Sequence, residues 1–378
     1  MRSALARRDV LAGLCALAIV SPGRTSRAGR AEMAALGHLE PPGVTLLDAA
    51  RGEVQATLPL AHEPAQILID GRRSRLLASD YDNGISILSL IGDPGPHYRP
   101  LPFMPVHLQA APGRAFVAVN GLVEEGMWFL DPDRPEEAVR IRGLEEPHNF
   151  RFDRSARRLF VADRGGRGLA LVDVARAERI AEIGTEAAAF VPAGAVPDGL
   201  ALTPDSRIAL LLFDGAEHAI WLSLDTGEPF PGPPLGGQPD RPRVDRRGRF
   251  FLVELPETGE LLFLAAAEPR LLARLSLDGG PVLLARLWFD RILALAGIGG
   301  RRLLFFDLEM LRVTDELHLP APIGGLLASP AGDRLFLLLE NPPRILGLDH
   351  PERTTFLFEP LPAATAMAVT ADSATFCS

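Results

Sequence analysis

Short apolar runs recur along this chain, separated by Asp, Arg, Gly and Pro, and their spacing repeats. Each copy starts at or near a proline, enters an apolar run, crosses an Asp/Arg/Gly turn and enters a second apolar run. A third run ends in Leu-Asp or similar, and a fourth follows. The copies open at Pro64, Pro105, Pro147, Pro197, Pro239 and Pro281, and two more align at Ile323 and Ala364. Successive starts lie 41, 42, 50, 42, 42, 42 and 41 residues apart. The third runs read VTLLD at 44–48, ISILSL at 85–90, MWFLD at 127–131, LALVD at 169–173, IWLSLD at 220–225, LLFLA at 261–265, LLFFD at 303–307 and ILGLD at 345–349. Apolar stretches this short, bounded by turn residues, are strands buried between sheets rather than helices. Self-similarity at about 40–45 residues with four strands per unit predicts an all-β propeller of four-stranded blades.

The two ends complete each other. The last copy stops after two strands, and the first recognisable piece, 43–60, has the form of a third and a fourth strand. A ring with a free sheet edge would expose unpaired backbone groups, so the terminal pieces are expected to share one blade. Seven whole copies and the shared one give eight blades, with seven as the alternative count. A single domain over 39–378 is expected, because no linker or composition shift divides it. The long spacing after Pro147 holds an Ala-rich insertion at 185–196, read as a longer loop.

Residues 1–31 differ from the rest. Arg7 and Arg8 precede an apolar run at 10–20, followed by Ser21-Pro22-Gly23. That run is too short to cross a bilayer, so it reads as a signal peptide, and the paired arginines place it with twin-arginine export signals ahead of the general secretory type. The expected location is periplasmic or secreted, in a bacterium. Removal of this segment would shift the net charge of −9 to about −14 and leave Cys377 as the one cysteine, with no internal disulfide. All 39 basic residues are arginine, which excludes lysine Schiff-base and P-loop chemistry. The acidic balance argues against a nucleic-acid partner.

The form Pro-x-x-(apolar)-x-(apolar)-(Thr/Asp)-x-(Asp/Gly)-x-Arg-(apolar), followed by a strand ending in Asp, resembles the YVTN-type β-propeller repeat. Residues 197–212 and 323–339 carry it best. The resemblance implies a superfamily that holds surface-layer proteins, large subunits of amine dehydrogenases, haem-binding propellers of nitrite reductases, lactonases and periplasmic metal-handling proteins. Such a fold does not choose among these functions.

Ligands of propellers sit at the mouth of the central channel, where the loops that lead into each blade converge. In this chain those loops carry His62, Glu63 and Gln66, then His107, then His148 and Asn149, then Asp198, then Asp240 and Arg241. The later copies offer only Val282, Leu283, Gly324, Gly325, Thr365 and Ala366, so one side of the ring is polar and the other bland. His62, His107 and His148 are a candidate ligand set for a transition metal or haem, although the sequence requires neither. Single histidines in such loops equally serve as strand caps. His148 opens a segment, 147–163, that resembles a lactonase propeller blade, which makes it a candidate general acid or base. The loop 80–84 and the Gly-rich stretch 164–168 read as turns, not as cation or phosphate loops. The reading is an exported, monomeric binding module for a small molecule or another exported protein. The alternatives are a lactonase-like hydrolase, a redox-partner propeller of a dehydrogenase, and a periplasmic metal- or haem-handling protein.

Overall fold

The computed structural model describes residues 17–20, 33–38, 41–48, 53–70, 75–90, 95–121, 126–288, 290–329, 332–341, 344–349, 355–357 and 366–367. The described strands form eight antiparallel sheets arranged as a propeller. We label the blades I (33–59, completed by 17–20 and 366–367), II (64–100), III (107–140), IV (147–183), V (196–234), VI (240–276), VII (282–318) and VIII (323–357). Within each blade from II to VIII the strands run inner to outer in chain order.

The apolar runs make sense in this arrangement. A blade is covered on both faces by its neighbours, so its middle strands cannot alternate polar and apolar. Ile208–Asp214 of blade V and Phe250–Leu255 of blade VI are buried along almost their whole length. Apolar clusters fill the gaps between consecutive blades from I to VIII. Between VI and VII, Phe263 and Phe306 stack with centroids 4.2 Å apart. Outer strands are more exposed and polar, and that of blade V, Pro229–Pro234, carries four prolines that cannot offer a backbone N–H to another chain.

The polar signature of the repeat has a structural cause on the face that bears the turns from inner to second strand. Asp153 Oδ1 accepts the backbone N–H groups of Arg157 and Arg158, at 2.9 and 3.1 Å. Asp245 does the same for Arg249 and Phe250, and Ser329 Oγ for Asp333 and Arg334. The repeated Arg at the start of the second strand then pairs with the Asp that ends the third. These pairs are Arg207–Asp225 at 3.2 Å, Arg291–Asp307 at 3.0 Å and Arg334–Asp349 at 2.5 Å. These residues hold turns, and none is at the channel mouth.

Closure differs from the expected two-and-two division. The N-terminal side gives blade I four strands, Leu17–Val20, Met33–His38, Gly43–Asp48 and Glu53–Pro59. The C-terminal side gives Ala366–Met367, which pairs with Met33–His38 rather than with 43–60. The strand Met33–His38 was missed because its sequence, MAALGH, is small, lacks β-branched residues and ends in Gly-His. Blade I therefore takes in residues before position 39. The loop 80–84 is the turn expected from its sequence: Asn83 adopts a positive φ of 63° and Asp80 Oδ1 accepts from the backbone N–H groups of Asp82 and Gly84, as a tight turn requires. The Ala-rich insertion contains a short 3-10 helix, Thr185–Phe190.

Candidate functional site

The inner strand of several blades begins with a break in register. Pairing skips one residue between Pro147 and Asn149, between Pro197 and Gly199, between Pro64 and Gln66, and between Ile323 and Gly325. In blade VI it skips two, between Asp240 and Arg243. A bulge frees a residue from the ladder and re-aims its side chain. The freed residues are His148 in blade IV, Asp198 in blade V and Arg241 with Pro242 in blade VI, but Ala65 in blade II and Gly324 in blade VIII. Arg241 takes a positive φ of 48°, a conformation uncommon for a residue with a β-carbon.

His148, Asp198 and Arg241 line one cleft at the channel mouth, together with Asn149, Arg151 and Asp240. The cleft is small, with a cavity volume of about 20 Å³, room for about one water molecule. Blades V and VI approach closely there. A β-carbon on Gly199 would stand 3.0 Å from Pro242 Cδ and 3.1 Å from Leu212 Cδ1, so a side chain at this point would push the cleft wall apart.

His148 is oriented by Asp198. Its Nδ1 lies 3.2 Å from the Asp198 carbonyl oxygen and 3.1 Å from Oδ1. Both are acceptors only, so in the neutral ring the proton sits on Nδ1 and Nε2 carries the lone pair. Arg164, from the turn between the second and third strands of blade IV, fixes Asp198 in turn. Its Nη2 and Nε both donate to Asp198 Oδ1, the latter at 2.9 Å, and Nη2 lies 3.5 Å from Asp214 Oδ2. Burial lowers the Arg164 pKa, but the bond to Asp198 and the charges of Asp198, Asp214 and Glu146 together raise it above its ordinary value.

Arg241 stands 3.7 Å from both Asp240 and Glu254, an ionic but not a hydrogen-bonding distance. Behind it Arg243 Nη2 meets Glu254 Oε1 at 2.6 Å, with the glutamate side chain 2% exposed. Glu254 Oε2 also accepts the backbone N–H of Val282, which ties blade VI to blade VII. Burial lowers the pKa of Arg243 more than Glu254 raises it. Asn149 is buried and its Oδ1 accepts from Arg151 Nη1 at 2.8 Å.

The remaining candidates lie apart from this cleft. His107 is buried against the Phe150 ring, 5.3 Å away edge-on, and its Nε2 has no partner. Burial, with Arg151 and His148 nearby, lowers its pKa to about 3, so it stays neutral in the fold. His62 is bonded through Nδ1 to Asp82 at 3.0 Å and rests on Tyr98 of the outer strand of blade II, beside the exposed Glu63. Gln66 is a staple: its amide donates to Leu108 O at 3.2 Å and accepts from Leu108 N at 2.7 Å, joining blades II and III. Among the described residues no three His, Cys, Asp or Glu side chains are grouped to hold a metal ion. Thr365 and Cys377 lie outside the described residues.

Arg151, Arg164, Arg243 and Glu254 were not singled out from the sequence. A signal existed for Glu254, a charge set inside the otherwise apolar strand FFLVEL, whereas Arg151 and Arg243 stand in the polar inner strands PHNFRF and DRPRV. Arg164 sits in a glycine-rich turn that gave no such contrast.

No protein family and no curated protein matches the sequence. Solved structures do match its shape. Dihydro-haem d1 dehydrogenase NirN, in complex with DHE, superposes with a TM-score of 0.70 at 15% identity, covering 97% of this chain and 81% of that one. Hydrazine synthase of Kuenenia stuttgartiensis superposes with a TM-score of 0.53 at 12% identity, covering 94% of this chain and 98% of that one. At these identities the shared property is the propeller fold.

Proposed function

We propose that this chain is an exported propeller binding module whose small-molecule ligand docks over blades IV to VI, against His148 and Arg241. One observation carries the reading: three consecutive bulges turn His148, Asp198 and Arg241 into one cleft, while the equivalent bulges elsewhere present Ala65 and Gly324. A bulge is used near binding sites to aim a side chain, and here the aimed residues are the ones with chemistry. Export rests on the paired arginines and apolar run of residues 1–31, and the repeat form supports a YVTN-type propeller.

The cleft favours a ligand with an acidic group and an electron-accepting or hydrogen-donating centre. Arg241 has guanidinium donors whose carboxylate neighbours stand too far for hydrogen bonds. His148 presents the Nε2 lone pair. Haem has both features in its carboxylates and its iron; the cleft is too small to enclose it, so it would lie over the mouth, where the chain offers one imidazole fixed as an acceptor, with arginines beside it. The likeness to NirN in complex with DHE makes a tetrapyrrole the first ligand to try. When bound, the iron would supply a Lewis-acidic site for His148, while Asp198 and Arg164 hold that ring in orientation.

The test is titration of the purified chain with ferric haem, followed by absorbance. A saturable spectral change is expected, with His148→Ala and Arg241→Ala each weakening affinity by at least about tenfold, as loss of a charged contact does. Gly324→Ala, in the bland arc, should bind as the parent does. Equal binding by all four proteins would overturn the assignment of the cleft. Export is tested separately: changing Arg7 and Arg8 to Lys should block delivery of a fused reporter by the twin-arginine route.

A further inference from the structure

Blade VII departs from the repeat at the foot of its inner strand, on the face opposite the mouth. In blades II to VI and VIII the residue one step before the inner turn is apolar: Ile69, Ala110, Phe152, Leu202, Val244 and Ala328. In blade VII it is Arg286, opposite Leu293 and the one charge in the strand Val282–Leu287. Leu287 follows, where blades IV, VI and VIII place Asp153, Asp245 and Ser329 to accept the N–H groups of the turn. Then comes Trp288, 42% exposed with a φ of 46°. The inner turns of blades IV to VIII each hold one positive-φ residue, at Ala156, Ser206, Gly248, Asp290 and Gly332, and blade VII alone adds a second. That conformation is costly for a bulky side chain, and such strain gathers at functional positions.

Arg286 is largely buried between blades VI and VII. Its Nη2 donates to the Val244 carbonyl oxygen at 3.1 Å, and no carboxylate of the described residues is within ion-pair reach of it. Burial and the charge of Arg246 lower its pKa against the opposing pull of Asp290 and Asp245. Both carboxylates are committed elsewhere. Asp245 Oδ1 accepts the backbone N–H groups of Arg249 and Phe250, and its Oδ2 lies 3.4 Å from Arg249 Nε. Asp290 Oδ2 stands 3.9 Å from Arg246 Nη1. Three arginines, Arg246, Arg249 and Arg286, thus face two carboxylates, and Arg247 at the tip of the blade VI turn adds to the positive excess. A buried charge is costly unless it is paired.

We propose that Arg286, with Arg246 close by, is a binding site for a carboxylate at the foot of the channel between blades VI and VII. A guanidinium fork matches a planar carboxylate through two parallel N–H···O bonds, and Arg286 spends one donor on Val244 and keeps the others. A monoanion suits the excess better than a dianion, because Asp290 stands beside the site. The carboxylate belongs either to a small organic acid or to an acidic side chain of another protein.

The test is NMR of the arginine side chains of the whole chain during titration with sodium acetate, with sodium chloride at equal ionic strength as reference. The Arg286 signal is the one missing from an Arg286→Met spectrum, or is assigned through the backbone if that protein does not fold. A saturable shift at Arg286 is expected with acetate, with half-saturation at least about tenfold higher for chloride, which cannot make the paired bonds. Arg246→Gln should raise the acetate half-saturation about two- to fivefold, and Asp290→Asn should lower it by removing a competing carboxylate. A hexaglutamate peptide tells the carriers apart: half-saturation at least about tenfold below that of acetate assigns the site to a protein partner, and parity assigns it to a small acid. No saturable shift at Arg286, an equal response to chloride, or tighter acetate binding after Arg246→Gln would each overturn the proposal. None of these proteins alters His148 or Arg241, so the outcome is independent of what binds at the mouth.

Discussion

Blades IV to VI and the arc formed by blades VIII and II use the same backbone device for different ends. In blades II, IV, V and VIII the inner strand starts with one residue outside the ladder. In blades IV and V that residue is His148 or Asp198, and the larger bulge of blade VI frees Arg241. In blades II and VIII it is Ala65 or Gly324. Blades III and VII lack the break, and their inner strands pair without interruption. The bulge thus belongs to the repeat, and the site belongs to the side chains it happens to carry. The supporting interactions differ as well. The polar arc is backed by the buried pair Arg243–Glu254, whereas the gap between blades VII and VIII is filled by apolar residues such as Leu287, Leu335 and Leu337.

The largest effects should come from those two backings. Glu254→Ala leaves Arg243 buried without its carboxylate and should cost about 3–5 kcal/mol in urea unfolding. Leu337→Ala in the bland arc should cost a similar amount, about 2–5 kcal/mol, by leaving a cavity. What separates them is rescue. Adding Arg243→Met to a Glu254→Leu protein should recover most of the loss, because an apolar pair can replace a buried ion pair. If it does not, the polar backing is more than a structural pair.

Acid should act on the polar side next. His107 has a pKa of about 3 in the fold and must gain a proton on unfolding below its ordinary value of 6.5. Between those values the unfolded state binds more protons, so stability falls as pH drops, by up to about 1.4 kcal/mol per pH unit from this group. The contribution is constant above 6.5 and levels off below about 3. Burial lowers the pKa of His38 too, in the same direction. Replacing His107 with Leu should flatten the decline, as measured by unfolding at a series of pH values. An unchanged slope would show that the ring is not the acid-sensitive element of this arc.

The smallest effect is the most local. Arg164 is partly exposed, so Arg164→Ala should cost only about 0.5–1 kcal/mol in stability. Its larger consequence should be seen by nitrogen NMR of His148. Loosening Asp198 should weaken the preference for the Nδ1-protonated ring, and Arg164→Lys should restore it only in part, since it lacks the planar pair of donors. A parent-like tautomer in both variants would mean that Asp198 holds the ring unaided.

The repeat was plain in the sequence because each copy spends its apolar residues the same way. The eight blades and the third-strand positions followed from that. The Arg and Asp of each turn were equally visible, and their pairing, as in Arg207–Asp225, explains why they recur. Met33–His38 escaped notice because Ala, Gly and His carry no strand signal of their own, and its place is decided by partners from both ends of the chain. The polar side of the mouth was legible as residue types. Which of them meet was not. His148, Asp198 and Arg241 converge because bulges aim them, with Asp240 at the last ladder pair beside them, and a bulge is a register property that no single residue announces. His62 and Gln66 occupy equivalent loop positions, yet Asp82 and the Leu108 backbone claim them.

Gln66 carries one more lesson. It grips blade III through the main chain of Leu108, and Asn120 grips blade IV through the carbonyl oxygens of Pro147 and His148. Arg286 likewise holds blade VI at the Val244 carbonyl. A clasp that recognises only backbone places no demand on the neighbour's side chain. Each blade can therefore be copied, and its mouth residue exchanged, without renegotiating the joint beside it. The ring is in this sense a frame with interchangeable settings, in which a new specificity needs only a new residue on an old bulge.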